Sequence, residues 1–229
     1  MVSRPNDDAP VAEPELGRTG RSRADFVYDT VRSWIQTRKI KVGERVREEA
    51  VAQALSVSRT PVREALSRLQ TRGLLQVLAG GLVVVELTSQ QTMELYALRE
   101  VLEGAASRSA AQHASANEIT ALHQINDEFR DALGNPERLA VVNKEFHQTI
   151  YDAARNRYLD RTLADLHDTL MLLNSTTFTV PGRAEKAVDE HRRMVEAIER
   201  RNADAAEQRA REHIRNSQDA RFAMRPRPS

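Results

Sequence analysis

Residues 56–75 have the sequence SVSRTPVREALSRLQTRGLL, in which apolar residues recur at the three- and four-residue spacing of an α-helix. We predict a helix over residues 59–72, followed by Gly73, a residue type that readily adopts the left-handed conformation found after a helix C-terminus. A tight turn at 56–58 separates it from a shorter helix predicted over 47–55. Two short helices joined by such a turn indicate a helix-turn-helix.

The start of the second helix carries the residues that this motif uses to contact DNA. In a helix-turn-helix, the first turns of the second helix reach the edges of bases in the major groove. Arg59 and Arg63 lie there, and each guanidinium can bind guanine O6 and N7 together. Ser58 and Thr60 offer hydroxyls to phosphates or base edges. A lone arginine on a helix is usually only solvated, but the ordered set of helix, turn and arginine-rich helix favours a DNA-binding surface.

Short runs rich in β-branched residues at 74–78 and 82–87 flank the pair Gly80-Gly81, which predicts a two-stranded hairpin. Because glycine has no Cβ, the tip of this hairpin can approach a DNA backbone closely. Together with an N-terminal amphipathic helix, these elements predict a winged helix-turn-helix domain over residues 24–87.

The distribution of charge supports the same division of the chain. Residues 21–85 carry 12 basic and 6 acidic side chains, whereas residues 86–229 carry 20 basic and 23 acidic ones. A polyanion such as DNA is therefore expected to meet only the first of these two segments.

The rest of the chain has helical periodicity, interrupted where Gly, Pro or Asn occurs. We therefore predict a mainly α protein, in which the winged helix-turn-helix is followed by an all-α antiparallel helical bundle over residues 88–221. Residues 1–23 have almost no apolar periodicity and are predicted to be a disordered tail, and residues 222–229 are predicted to be frayed. The predicted helices of the bundle span residues 89–113, 116–133, 137–154, 156–173, 183–201 and 203–221.

The composition excludes several classes of protein. The chain has no cysteine, so disulfides and thiolate chemistry are absent. No apolar run approaches the length of a membrane span, and the N-terminus lacks the apolar core of a signal peptide. We expect a cytoplasmic protein with no membrane partner.

Four polar residues of the predicted bundle are expected to converge. His191 and His213 lie at equal distances from a turn predicted at Asn202, so they should face each other across a helical hairpin, each ~16 Å from the turn. Asn143 and His147 are four residues apart and share one face of a third helix. A lone histidine on a helix is more often a surface or hydrogen-bonded residue, and we assign that role to His113, His123 and His167.

Three imidazoles and one amide oxygen form a donor set that suits Zn²⁺ or Ni²⁺ and, less selectively, Mn²⁺ or Fe²⁺. Because these ligands are neutral, the metal would keep its full charge and attract an anion, most simply a small carboxylate. Two carboxylates, Glu145 and Glu190, lie next to the expected ligands in the sequence, but helix geometry predicts that both point away from the ligand face.

Residues 24–87 resemble the N-terminal domain of GntR-type regulators, and SRTPVREAL at 58–66 is close to the recognition-helix signature of that family. One position departs from the pattern. Many relatives place a DNA-contacting arginine where this chain has Glu49, so Arg45 or Arg47 is the expected substitute. The resemblance implies DNA contact by Arg59, Thr60 and Arg63, and backbone contact by Ser58, Gly80 and Gly81.

Residues 89–221 resemble the FCD branch of the same family, whose helical effector domain holds a metal site. Arg99 aligns with an arginine that often faces the effector pocket in that branch, and a guanidinium can hold a carboxylate by two parallel hydrogen bonds. The alternative is a surface arginine paired with Glu103 four residues later. The ligand positions of the branch match Asn143, His147, His191 and His213, with Asn in place of the commoner Asp.

The leading hypothesis is a homodimeric transcription regulator that binds a near-palindromic double-stranded operator and responds to a small organic acid bound at the metal. We expect repression that the ligand relieves, although the opposite sign is open. A first alternative is a metal-dependent hydrolase or oxygenase that uses the three-histidine site. A second is a nucleoid-type protein that binds DNA and senses nothing.

Overall fold

The computed structural model describes residues 22–173 and 175–224, and the chain divides into two compact units after Val83. This boundary lies four residues before the predicted one. The predicted disordered tail falls almost wholly outside the described residues, but its last residue, Arg23, already belongs to the first helix. The last helix extends to Ala223, two residues into the segment predicted to be frayed, and residues 225–229 of that segment lie outside the described residues.

The first unit is a winged helix-turn-helix. The elements are α1 (Arg23–Gln36), β1 (Arg45–Val46), α2 (Glu48–Ala54), α3 (Arg59–Thr71), β2 (Leu75–Leu78) and β3 (Gly81–Val84). The strands form a sheet in the order β1-β3-β2, in which β1 and β3 are antiparallel and Arg45 is paired with Val83. Sequence patterns did not reveal β1, because two residues are too few to show an alternating pattern.

Packing of α1 against α3 forms the core of this unit. Helix α1 begins with a capping box, in which the Ser22 hydroxyl accepts from the Asp25 N–H and the Asp25 carboxylate accepts from Ser22. Helix α3 is followed by Gly73, whose φ of 73° is left-handed, as predicted. The core residues of the two helices include Val27, Val31, Leu66 and Leu69.

The second unit is an all-α bundle, as predicted. Several of its helices begin at side-chain caps, including a capping box formed by Thr88 and Gln91 at the start of α4. A 3₁₀ turn over Thr177–Thr179 was not predicted and lies between α7 and α8. The helices are α4 (Ser89–His113), α5 (Ala116–Asp131), α6 (Pro136–Ala153), α7 (Arg157–Leu170), α8 (Arg183–Glu199) and α9 (Ala203–Ala223).

Helix α4 has two different faces. One face packs mainly against α9 and buries polar residues that include Arg99 and Glu103. The opposite face leaves Met93, Leu98 and Val101 between 43% and 50% exposed, and we call these three residues the outer face of α4. Apolar residues therefore lie on both sides of a long helix, which is typical of a helix that is covered on both sides.

Replacement of a core leucine tests the packing of the first unit. Leu69 is fully buried, so Leu69→Ala is expected to lower the free energy of unfolding of this unit by about 2–5 kcal/mol. Trp34 is the only tryptophan in the chain, and its fluorescence during urea unfolding follows this unit alone. The matched change Leu78→Ala, at a residue that is 53% exposed, should cost less than about 1 kcal/mol. Equal losses in the two variants would contradict this packing.

Candidate functional site

The residues predicted to contact DNA lie together at the start of α3. Arg59 is the first residue of the helix, Arg63 follows one turn later, and both side chains are more than half exposed. Ser58 occupies the N-cap position, but its hydroxyl makes no capping hydrogen bond. Thr60 is also exposed, so these side chains are open to a ligand.

Acidic residues of α2 contact both arginines, which the sequence did not reveal. Arg59 Nη2 lies 2.7 Å from Glu49 Oε1 and 3.3 Å from Glu48 Oε2. Arg63 Nε donates to the same Glu48 oxygen over 2.8 Å. The hydrogen bond from Arg63 lowers the pKa of the Glu48 carboxyl below its usual value. Glu48 therefore bridges the two arginines in ionised form.

The wing brings Arg45 to the glycine pair. Gly80 and Gly81 have φ angles of 102° and 129°, which disfavour other residue types. A Cβ at Gly80 would collide with the Arg45 guanidinium, whose Nη2 donates to the carbonyl of Ala79 over 3.3 Å. Arg45 is thus part of the wing tip, whereas Arg47 is the exposed N-cap residue of α2.

Three of the four predicted metal ligands meet in the interior of the second unit. His147, His191 and His213 are at most 5% exposed, and one ligand atom from each lies within 4.8 Å of the others. The rings of His191 and His213 are 4.9 Å apart, as expected for residues equidistant from the turn at Asn202. His113, His123 and His167 are not among the three clustered histidines, but His167 is half-buried rather than on the surface, and burial lowers its pKa to about 4. His113 bonds to the carbonyl of Ser109, and His123 lies 3.5 Å from Glu199.

Aromatic packing holds the His191 ring in place. The ring stacks on Phe146 at 4.0 Å and meets the edge of Phe129 at 4.9 Å. Neither ring nitrogen has a hydrogen-bond partner among the described residues. Burial, reinforced by neighbouring histidines, puts the pKa of His191 and of His213 well below the usual value. Both rings are therefore neutral, which is the form that binds metals.

Unpartnered polar atoms at this cluster are compatible with a bound metal ion. Asn143 Oδ1 and His147 Nε2 are buried, and within the described part of the chain neither has a hydrogen-bond partner. Asn143 precedes His147 by one helical turn, so the two share a face of α6. Leaving such groups unbound costs about 1–3 kcal/mol each, which a bound cation would offset.

Two buried carboxylates lie at the outer nitrogens of the cluster. Glu190 Oε2 is 2.7 Å from His213 Nδ1, and Glu103 Oε2 is 2.7 Å from His147 Nδ1, although off the line of that ring's N–H. The prediction that Glu190 points away is wrong. Its position one residue before His191 turns it about 100° around α8, toward α9 and His213. Contact at Nδ1 leaves Nε2 of each ring available to a metal ion.

A buried arginine accompanies each carboxylate. Arg99 Nε donates to Glu103 over 2.8 Å, so the predicted pair exists, but it is buried rather than on the surface. Arg183 Nη1 lies 2.9 Å from Glu190, and the sequence analysis missed it. Its spacing could have revealed it, since residue 183 lies two helical turns before Glu190 on the same face of α8.

The two carboxyls differ in their ionisation. Burial opposes charge on Glu103, but His147 and Arg99 together lower its pKa below the usual value. Burial dominates at Glu190 and raises its pKa despite Arg183. Glu103 is therefore the more firmly ionised of the two.

Comparison with known families assigns both units. Residues 23–85 match the family described as bacterial regulatory proteins, gntR family, and residues 94–216 match the FCD domain. The chain belongs to the GntR family. It is a transcription regulator, and GntR regulators bind DNA.

This GntR chain has relatives that match most of its length. It is 30% identical to the HTH-type regulator YdhC of Bacillus subtilis, over 82% of this chain and 85% of the relative. It is also 30% identical to a "Probable D-xylose utilization operon transcriptional repressor" of Paenarthrobacter nicotinovorans, over 83% and 85%.

Solved structures support the fold of the GntR chain. McbR/YncC of E. coli has a TM-score of 0.76 at 21% identity and covers 89% of this chain and 98% of its own. A GntR regulator from Rhodococcus sp. RHA1 has a TM-score of 0.72 at 20% identity, covering 90% and 100%. In the described ranges, no helix is long and apolar enough to cross a membrane.

Proposed function

We propose that this GntR regulator is a homodimeric repressor whose affinity for a near-palindromic operator is controlled by a small carboxylate bound at a metal in its FCD domain. The observation that carries the proposal is the convergence of three neutral, buried imidazoles in the bundle. Such a donor set suits Zn²⁺ or Ni²⁺, with Mn²⁺ and Fe²⁺ as less selective occupants. The ligands would be Asn143, His147, His191 and His213.

The surrounding residues prepare the site for an anion. A metal held by neutral ligands keeps its full charge and supplies a Lewis-acid position for a carboxylate. Glu103 and Glu190 orient the rings of His147 and His213 from their outer nitrogens. Arg99 adds a buried guanidinium beside Glu103, which favours its role as a second contact for the effector.

Helix α4 provides a route from the effector to the winged domain. It carries both Arg99 and Glu103, and only four residues separate its first residue, Ser89, from the end of β3 at Val84. A ligand that favours one position of α4 would therefore favour one placement of the two winged helix-turn-helix domains of the dimer, the reading heads, and change operator affinity. The relative named as a probable repressor supports repression as the direction.

The alternative of a hydrolase or oxygenase finds less support in the geometry. The two carboxylates near the cluster contact the Nδ1 atoms of His147 and His213. They are therefore placed to hold the rings, whereas a general base must reach the substrate or a bound water on the inner side. Turnover of small esters, amides or keto acids by the metal-loaded protein would restore this alternative.

The metal and effector proposals share one test. His147→Ala with His213→Ala should abolish bound metal, measured by elemental analysis of purified protein, because two of four ligands are lost. At least one carboxylate of a mono-, di- and tricarboxylate panel should raise the Tm of metal-loaded protein by several degrees, and none should do so for the variant. His123→Ala, at an exposed histidine, is the control. Full metal content in the double variant would refute the metal site. If no carboxylate in the panel raises the Tm of the metal-loaded protein, the proposal of a carboxylate effector is refuted.

The DNA contact is tested at the two exposed arginines. Arg59→Ala with Arg63→Ala should weaken binding to the duplex upstream of the protein's own gene by more than about 30-fold, because each base contact contributes ~1–3 kcal/mol. Arg130→Ala with Arg138→Ala removes the same charge from exposed positions of the bundle and should leave affinity within about twofold. Unchanged affinity in the first variant would contradict the assignment of DNA contact to Arg59 and Arg63. Fluorescence anisotropy measures both.

The outer face of α4 supports the dimer. Met93, Leu98 and Val101 are large apolar residues along one side of a 25-residue helix, and such a surface is typical of an interface. A second copy of the chain is the expected partner, because a single small reading head supplies little specificity and helix-turn-helix proteins read twofold sites as dimers.

Replacing apolar residues of this face with acidic ones tests the dimer. Leu98→Glu with Val101→Glu should convert the dimer to monomer in analytical ultracentrifugation, because four carboxylates would be buried in a twofold interface. Leu133→Glu with Val141→Glu, at apolar residues of comparable exposure, should remain dimeric. A wild-type monomer, or a dimer in both variants, would contradict the proposed interface.

A further inference from the structure

The DNA-binding arginines are already engaged in the free protein. Glu48, Glu49, Arg59 and Arg63 form a contiguous group, which we call the Arg–Glu cluster, with N–O distances of 2.7, 2.8 and 3.3 Å. The cluster joins the first turn of α2 to the first two turns of α3. Two positive and two negative side chains make it formally neutral, although residues 21–85 as a whole are basic.

The cluster creates a competition for the donors of two arginines. A carboxylate oxygen is an acceptor, as are a phosphate oxygen and guanine O6 and N7. DNA that binds Nη2 of Arg59 or Nε of Arg63 must therefore compete with Glu48 and Glu49, which accept from those groups in the free protein. An exposed ion pair contributes only about 0–1 kcal/mol, so a guanine with two well-placed acceptors can displace it.

For DNA without the operator, attraction to the arginines is opposed by repulsion from the carboxylates. A phosphate near an arginine also approaches the carboxylate bound to that arginine, and the first helix of a helix-turn-helix crosses the DNA backbone. Glu49 is 65% exposed and Glu48 is 28% exposed, so both charges are open to this repulsion. Contacts to the DNA backbone alone therefore contribute less binding free energy than they would if both arginines were unpaired.

We propose that Glu48 and Glu49 are specificity-determining residues, which hold Arg59 and Arg63 unless guanine acceptors replace them and so suppress binding to DNA without the operator. This inference rests on the proposed DNA contact by the two arginines. A purely structural role is the competing explanation, because acidic residues in the first turn of α2 also stabilise that helix. Such a role would change stability without changing the salt dependence of DNA binding.

The test uses the full-length protein and two duplexes of 30 base pairs. One is a mixed-sequence duplex, and the other is selected from a randomised library by the wild-type protein. For Glu49→Gln we expect binding to the mixed duplex to tighten about 3- to 10-fold and the slope of log K against log salt to steepen by about 1 per reading head. Binding to the selected duplex should change less, so the ratio of the two affinities falls.

Glu48→Gln should have the larger effect, because Glu48 contacts both arginines whereas Glu49 contacts Arg59. Glu137→Gln, which removes one exposed acidic charge from α6, should leave both the slope and the ratio unchanged. Trp34 fluorescence in urea checks folding, and if Glu48→Gln is destabilised the more exposed Glu49→Gln carries the test.

The outcomes separate this inference from the proposed function. A wild-type protein that selects no duplex refutes both. A wild-type protein that selects a duplex, combined with glutamine variants whose affinity for the mixed duplex and salt slope are unchanged, refutes only the role of the carboxylates. A tighter, more salt-dependent interaction with the mixed duplex supports it.

Discussion

The burial of four charged side chains around three imidazoles is the constraint on which the bundle depends. An unpaired charge in a protein interior costs several kcal/mol, so each buried charge must meet a partner. Arg99 meets Glu103, and Arg183 meets Glu190. Each carboxylate then contacts one histidine, which fixes the rings. These carboxylate–histidine contacts join α4 to α6 and α8 to α9, so they add to apolar burial in holding the helices together, and His191 is held by stacking on Phe146.

Helix α4 links the parts of this GntR regulator. Its inner face supplies Arg99 and Glu103 to the cluster, its outer face is apolar and exposed, and its first residue follows closely after the wing. A helix with apolar residues on both sides needs a second covering surface. In the proposed function the effector contact and the dimer contact lie on this one rigid helix, which would let a small shift at the metal reach both reading heads.

Local patterns in the sequence predicted what depends on local spacing. His191 and His213 were paired correctly, because equal distances from Asn202 fix their register in a hairpin whatever the remaining fold. Glu190 was misplaced, because a residue one step from a ligand takes its environment from whichever helix lies beside it. That neighbour, α9, is a tertiary feature. Strand β1 was missed since its two residues form a strand only by pairing with β3.

Arginine–glutamate pairs serve opposite purposes in the two units, and the exposure of each pair decides which purpose it serves. Arg59 and Glu49 are 52% and 65% exposed, so water can replace either partner at little cost and the arginine is free to exchange a carboxylate for DNA. Arg99 and Glu103 are 10% and 4% exposed, so separating them would strand a charge in the interior. An effector carboxylate would therefore have to bind Arg99 beside Glu103 and not in place of it. The buried pair is a fixed scaffold, whereas the exposed pair is an exchangeable one.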